Sequence, residues 1–324
     1  MSDKVAIGLD VGGTGTKGAL VSTAGDVLER SELRTDVTAG TKGIIAVAED
    51  LMERARGLGL EVGGVGAGVA GFVDAADGSV TFSPNLTYDD PAIAAAVKTR
   101  IDLPVVVDND ANAAAWGEYR FGSARGLDHL AMLTLGTGVG GGFVVDGRLL
   151  RGSRGAGAEF GHMVVVTEGE LCNCGLRGCL EQYASGQAIA RMGREALEKD
   201  PTSAILSFAG SQDDVRATHI AQAARNYDST ATEVLRRAGK YLGIGMSNLV
   251  NVFDPLVIVL GGSVVRAGEP YLGPARDTLT EMLTAQKRRA VRLDVSTLGN
   301  DAGIVGAAAL AMDPIASWEG RHYE

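Results

Sequence analysis

The chain has 324 residues, 45% hydrophobic and 22% charged, with 46 glycines against 8 prolines and a formal net charge of −10. The length suits two lobes around a sizeable core, and the acidic balance argues against a nucleic-acid partner. No basic, apolar leader opens the sequence and no apolar run reaches the roughly 20 residues of a membrane span, so no membrane association and a cytoplasmic setting are expected.

From the N-terminus, Val5 to Asp10 reads as a buried strand. A glycine-rich turn follows, then strands over Ala19 to Ser22 and from Val27. Ile44, Val47, Ala48, Leu51 and Ala55 recur at helical spacing up to Gly57. Val65 to Val69 and Val105 to Val107 are β-branched runs bounded by turn residues. Pro91 reads as a first-turn proline of a helix capped by Asp89 or Asp90. Ala111 to Phe121 is Ala-rich and helical, which puts Asp110 at a helix N-terminus. Ala231 to Phe253 reads as a long helix, Leu256 to Leu260 as a strand, and Gly303 to Met312 as a small-residue helix.

Ala6 to Leu28 and Leu130 to Leu150 share one pattern of strand, glycine loop, strand, turn and strand. Gly12 corresponds to Gly136, Thr14 to Gly138 and Gly18 to Gly142. Two copies of one unit imply two similar lobes. Gly13-x-Gly15-x-x-Gly18 and Gly136-x-Gly138-x-x-Gly141 match the dinucleotide fingerprint in form. That fingerprint needs a helix after its glycines, and here an apolar strand follows each loop. The remaining readings are ordinary tight hairpins, or hairpin turns whose backbone N–H groups face a phosphate. Two such loops favour the second reading, with Thr14, Lys17 and Thr137 as further donors. Asp10, directly before the first loop, then needs a cation beside the phosphates and is expected to orient Mg²⁺.

Asp108-Asn109-Asp110 closes the strand at Val105 to Val107. Strand ends in α/β sheets are where ligands bind. Asp110 is either a plain N-cap or a base that accepts the proton of a hydroxyl which Asn109 helps to hold. The helix dipole favours its ionised form. As a weak base it still suits phosphoryl transfer, where positioning carries most of the catalysis.

Cys172-x-Cys174-x4-Cys179, ten residues after His162, is a closed three-thiolate, one-imidazole set for a structural zinc. Glu159 and Glu181 flank these ligands. They are either surface charges or carboxylates that the metal brings together to accept hydrogen bonds from sugar hydroxyls.

Together these motifs resemble the ROK family of sugar kinases: Asp10-Val-Gly-Gly-Thr14-x-x-Lys17-Gly18, Asn109-Asp110-Ala-Asn112, Leu135-Gly-Thr-Gly-Val-Gly-Gly-Gly142, Gly155-x-Gly-x-Glu159-x-Gly-His162, the cysteine segment through Glu181, and Leu260-Gly-Gly-Ser263. The resemblance implies an α/β, actin-like (ribonuclease H-like) two-lobed fold with duplicated hairpin phosphate loops and a central cleft. The expected lobes are 1–115 plus 300–324, and 116–299 with the zinc site. It implies ATP-dependent phosphorylation of the glucose 6-hydroxyl, with glucose and ATP as ligands and Mg²⁺ as cofactor. Asp110 would be the base. Asn85, Asn109, Glu159, His162 and Glu181 would line the sugar site. Asp10, Gly12, Gly13, Thr14, Lys17, Thr137, Gly138, Gly261 and Gly262 would face the nucleotide. His162, Cys172, Cys174 and Cys179 would bind zinc, and a homodimer or homotetramer is expected. Alternatives are a ROK kinase for fructose, N-acetylglucosamine or N-acetylmannosamine, use of polyphosphate as donor, or a sugar-sensing repressor. The repressor needs a DNA-binding segment for which about four residues before Val5 leave no room.

Overall fold

The computed structural model describes residues 4–13, 15–33, 40–83 and 86–313. The expected contacts at Thr14 and Asn85 lie outside them. The strands are β1 (Lys4–Gly12), β2 (Gly15–Ser22), β3 (Val27–Leu33), β4 (Glu61–Val69), β5 (Phe72–Val73), β6 (Val80–Phe82), β7 (Val105–Asn109), β8 (Leu130–Leu135), β9 (Val139–Val145), β10 (Arg148–Leu149), β11 (Val257–Gly261) and β12 (Arg292–Val295). The helices are α1 (Gly40–Leu58), α2 (Ile93–Lys98), α3 (Asp110–Arg120), α4 (Glu181–Ala184), α5 (Gly186–Lys199), α6 (Ala204–Ala209), α7 (Ala217–Arg225), α8 (Ser229–Phe253), α9 (Glu269–Ala285) and α10 (Ala302–Met312). Among the described residues no helix is long and apolar enough to cross a membrane.

The repeat read from the glycine loops is a repeat of whole sheets. One sheet has the order β3-β2-β1-β4-β7 and the other β10-β9-β8-β11-β12. In the first, β1 pairs antiparallel with β2 and parallel with β4, and β4 pairs parallel with β7. In the second, β9 and β10 are antiparallel and β11 and β12 parallel.

The chain forms two compact units, Met1–Met132 with Gly142–Ala158 and Ser296–Glu324, and Leu133–Gly141 with Glu159–Val295. This differs from a first passage near residue 115. The difference follows from α3, which packs on α10: a Cβ on Gly117 would lie 2.7 Å from the Ala302 carbonyl oxygen.

In the first unit β1 alternates by size. Val5, Ile7 and Leu9 face a large-residue core with Ile44, Val47 and Leu51 of α1. Ala6 packs with Ile304, Val305 and Ala308 of α10. A Cβ on Gly8 or Gly66 would overlap the backbone of α10, so these glycines let the helix lie close on the sheet. Helix α10 is apolar all round because it is covered by the sheet and by α3. In strand alternation Asp10 points to the α10 side, and a Cβ on Gly303 would sit 3.4 Å from its Cγ.

The expected cap at Pro91 is corrected. Pro91 precedes α2, which starts at Ile93 with no side-chain cap. Asp89 instead accepts from Thr41 N at 3.0 Å, at the start of α1, and Asp90 Oδ1 accepts from Ala92 N at 2.9 Å. Asp90 thus closes the local turn, while Asp89 ties this segment to the first turn of α1.

In the second unit, α8 and α9 pack closely. A Cβ on Gly243 would lie 2.6 Å from the Ala275 carbonyl oxygen. The long helix ends at Asp254, which adopts φ 46°, ψ 53° and carries Arg288 at 3.2 Å.

Glu118, in the last turns of α3, is completely buried. Its carboxylate accepts from Ser123 N and Oγ at 2.8 Å each, Ser296 Oγ at 2.6 Å and Leu298 N at 2.9 Å. It ties the end of α3 to the segment that leads into α10. Removing it leaves several part-buried donors without this acceptor. Glu118→Ala is expected to lose about 3–4 kcal/mol and roughly 10 °C in Tm, measured by thermal unfolding. An unchanged Tm would contradict this reading.

Candidate active site

In the first unit, the β7–α3 junction carries the expected base. The N-cap of α3 is Asn109, whose Oδ1 accepts from Ala111 N at 2.9 Å and Asn112 N at 3.2 Å. Asp110 is therefore not the cap but the first helical residue, with Oδ1 accepting from Ala111 N at 2.8 Å. Asn109 Nδ2 donates to Gly71 O at 3.1 Å. Its acceptor is thus spent on the helix, and what it can offer a ligand is its remaining amide N–H. Tyr88 donates to Ala70 O at 3.2 Å. Burial, then the negative charge of Asp110, push its phenol well above its ordinary range.

Sequence reasoning assigned no role to Asp108, whose side chain is buried beside this junction. Asp108 accepts from Arg151 Nε at 2.6 Å, Asn112 Nδ2 at 2.9 Å and Asn109 N at 2.8 Å. Its place in a polar cluster was the available signal. Nothing local pointed to Arg151, 43 residues away.

Asp10 and Lys17 stand opposite each other in the β1–β2 register. Burial raises the Asp10 carboxyl above its ordinary value, against the lowering effect of Lys17. A desolvated carboxylate at a strand end, beside the N-terminus of α10, fits a role beside a cation. Gly12 and Gly136, equivalent in the repeat, share another property. A Cβ at either would meet no atom within 4 Å, and neither has a positive φ. Neither packing nor backbone conformation demands glycine there. Open backbone at both loops suits close approach by a phosphate.

In the second unit, the loop between β8 and β9 closes with Gly136 N donating to Gly138 O at 3.0 Å. Its outer carbonyls are tied to the start of α5: Gly186 N donates to Gly136 O at 2.8 Å and Gln187 N to Thr137 O at 3.3 Å. Glu181 Oε2 accepts from Val139 N at 3.0 Å, and a Cβ on Gly138 would collide with that oxygen. Glu181 thus holds the glycine loop, a link that sequence reasoning missed. At the end of β11, Gly262 has φ 86° and a Cβ there would lie 2.7 Å from Leu135 N, so only glycine lets β11 end against β8. Gly261 is the last residue of that strand.

Glu159 lies within electrostatic reach of both His162 and Glu181. Burial raises its carboxyl, His162 lowers it, and Glu181 raises it again.

The four candidate metal ligands also converge. The ligand atoms of His162, Cys172, Cys174 and Cys179 all lie within 4.8 Å of one another. His162 Nδ1 is 3.7 Å from Cys172 Sγ, and Cys174 Sγ is 3.6 Å from Cys179 Sγ. Zn–S bonds of about 2.3 Å put two tetrahedral sulfurs about 3.8 Å apart, so these edges fit zinc. The loop reaches this shape through Gly175 and Gly178, both with positive φ, and a Cβ on Gly178 would overlap the Val166 carbonyl. Burial and the neighbouring thiols push the Cys179 thiol up to about 12. A dication reverses that penalty, which is the electrostatic reason for three thiols in so small a volume.

Two sheets of one strand order, each opening on a glycine hairpin, define an actin-like α/β fold. The chain belongs to the ROK family, whose model matches residues 6–314. It is 38% identical over 314 residues to a glucokinase of Streptomyces coelicolor, covering 96% of this chain and 98% of the relative. It is 39% identical over 311 residues to a glucokinase of Thermotoga maritima, covering 95% and 98%. The crystal structure of a ROK family glucokinase from Streptomyces griseus, in complex with glucose and AMPPNP, superposes with a TM-score of 0.85 at 39% identity, covering 95% of this chain and 99% of that one.

Proposed function

We propose that this chain is an ATP-dependent glucokinase that forms glucose 6-phosphate and ADP. The observation that carries the reading is the β7–α3 junction. There Asp110, the first helical residue after the Asn109 cap, heads a helix at a strand end, in a chain similar to glucokinases over 95–96% of its length.

Asp110 accepts the proton of the glucose 6-hydroxyl as its oxygen attacks the terminal phosphorus of ATP. The bond from that phosphorus to the ADP oxygen breaks, and the electron pair leaves with ADP. Asn85, Asn109, Glu159, His162 and Glu181 bind the sugar hydroxyls. Gly12, Gly13, Thr14, Lys17, Thr137, Gly138, Gly261 and Gly262 face the nucleotide. Asp10 would hold Mg²⁺, which supplies charge neutralisation at the phosphates. His162, Cys172, Cys174 and Cys179 would hold a structural zinc that fixes the segments bearing Glu159 and Glu181. The enzyme works in the cytoplasm, in glycolysis, as a homodimer or homotetramer.

A coupled ADP assay across sugars tests the substrate. Glucose is expected to exceed fructose, N-acetylglucosamine and N-acetylmannosamine in kcat/KM by at least about tenfold, the usual scale of pocket discrimination. ATP is expected to outcompete polyphosphate as donor. An equal or better kcat/KM on another hexose would overturn the glucose assignment.

A further inference from the structure

We propose that Asp108, neutralised by Arg151, is a positioning residue for Asp110, so that a buried ion pair outside the reacting groups sets the rate of phosphoryl transfer. The inference rests on Asp110 being the base.

Asp108 cannot itself be a base for substrate. Its side chain is 5% exposed, and three donors occupy it: Arg151 Nε on Oδ2, and Asn112 Nδ2 and Asn109 N on Oδ1. Those donors define what it does. Asn109 is the cap of α3 and the residue before Asp110. Asn112 lies in the first turn of the same helix and is itself buried. One carboxylate oxygen therefore joins the end of β7 to the first turn of α3, on both sides of Asp110. It fixes the angle at which the helix leaves the strand, and with it the place of the base.

Arg151 supplies what a buried carboxylate two residues from another one needs. Its guanidinium offsets the charge of Asp108 in a site where water does not screen it. Its side chain is only 11% exposed. Its backbone is anchored as well: Gly157 N donates to Arg151 O at 2.9 Å, and a Cβ on Gly157 would lie 2.9 Å from the Arg151 carbonyl. Gly155 of the same segment is pressed against the Val73 carbonyl, where a Cβ would overlap. The pair thus binds the base-bearing junction to a closely packed segment from a distant part of the chain. Small displacements of a positioned group are expensive in rate, so loss of this tie should act on kcat.

The test uses the full-length enzyme. Asp108→Asn is nearly isosteric but leaves the Arg151 charge unmatched. The double variant Asp108→Asn/Arg151→Gln leaves no unpaired charge and is the one designed to stay folded. The double variant is expected to lose at least about tenfold in kcat while its glucose KM stays within about threefold. The same double change made on top of Asp110→Asn should alter the residual rate by less than about twofold, because a residue that acts through Asp110 has nothing left to position. A folded double variant with less than a tenfold loss, or an equal loss in both backgrounds, would overturn the proposal. If Asp110→Asn alone kept its kcat, the base assignment would have failed instead, so the two failures are distinguishable.

Discussion

Asp110→Asn is expected to leave a folded protein that binds glucose but turns over about 10²–10⁴-fold more slowly, the range typical for loss of a general base. The structure explains why folding survives. The cap of α3 is Asn109, and the bond that Asp110 accepts from Ala111 N at 2.8 Å can be accepted by an amide oxygen at the same place. The helix start is therefore retained, and thermal unfolding should shift by no more than about 2 °C. What the amide cannot do is take up a proton from the sugar hydroxyl. Single-turnover rates alongside glucose binding by calorimetry separate the two properties. A kcat within threefold of the parent, with fold and binding intact, would remove Asp110 from the chemistry.

The second large effect follows from the cysteine cluster. Cys179→Ala is expected to abolish retention of about one zinc per chain and to raise the glucose KM about 10–100-fold, the range seen when support around a metal site is lost. The thermal transition should fall with it, because metal binding free energy is folding free energy. The link to sugar runs through short stretches of chain. His162 is three residues from Glu159, and Cys179 two from Glu181, whose Oε2 also holds Val139 N at 3.0 Å. Loss of the metal should therefore disturb the β8–β9 loop as well as the two carboxylates. Metal content by emission spectroscopy, with KM values before and after chelation, checks this. Chelation that leaves stability and KM untouched would mean that these thiols do not form the site.

What could be read from sequence divides by distance along the chain. The hairpin repeat was legible because the strands and glycines that define it are contiguous, and the structure extends it to two sheets of equal order. The cysteine cluster was legible for the same reason: its ligands span 162 to 179. Contacts between distant segments were not. Asp89 accepts from Thr41 N across 48 residues, and Glu118 meets Ser296 across 178 residues. Local capping rules favour Asn109 and Asp110 about equally, so only the backbone geometry decided which one caps α3. Arg151 carried no signal at all, since an isolated arginine after a short strand is most often a surface charge.

Product formation from glucose and ATP decides whether the chain is a glucokinase. Glucose-6-phosphate dehydrogenase reports the sugar product and a separate coupled reaction reports ADP. Equal amounts of glucose 6-phosphate and ADP are expected from the parent chain, and a rate reduced at least about 10²-fold for Asp110→Asn. Absence of glucose 6-phosphate from the parent, or its undiminished formation by the Asp110→Asn variant, would contradict this assignment.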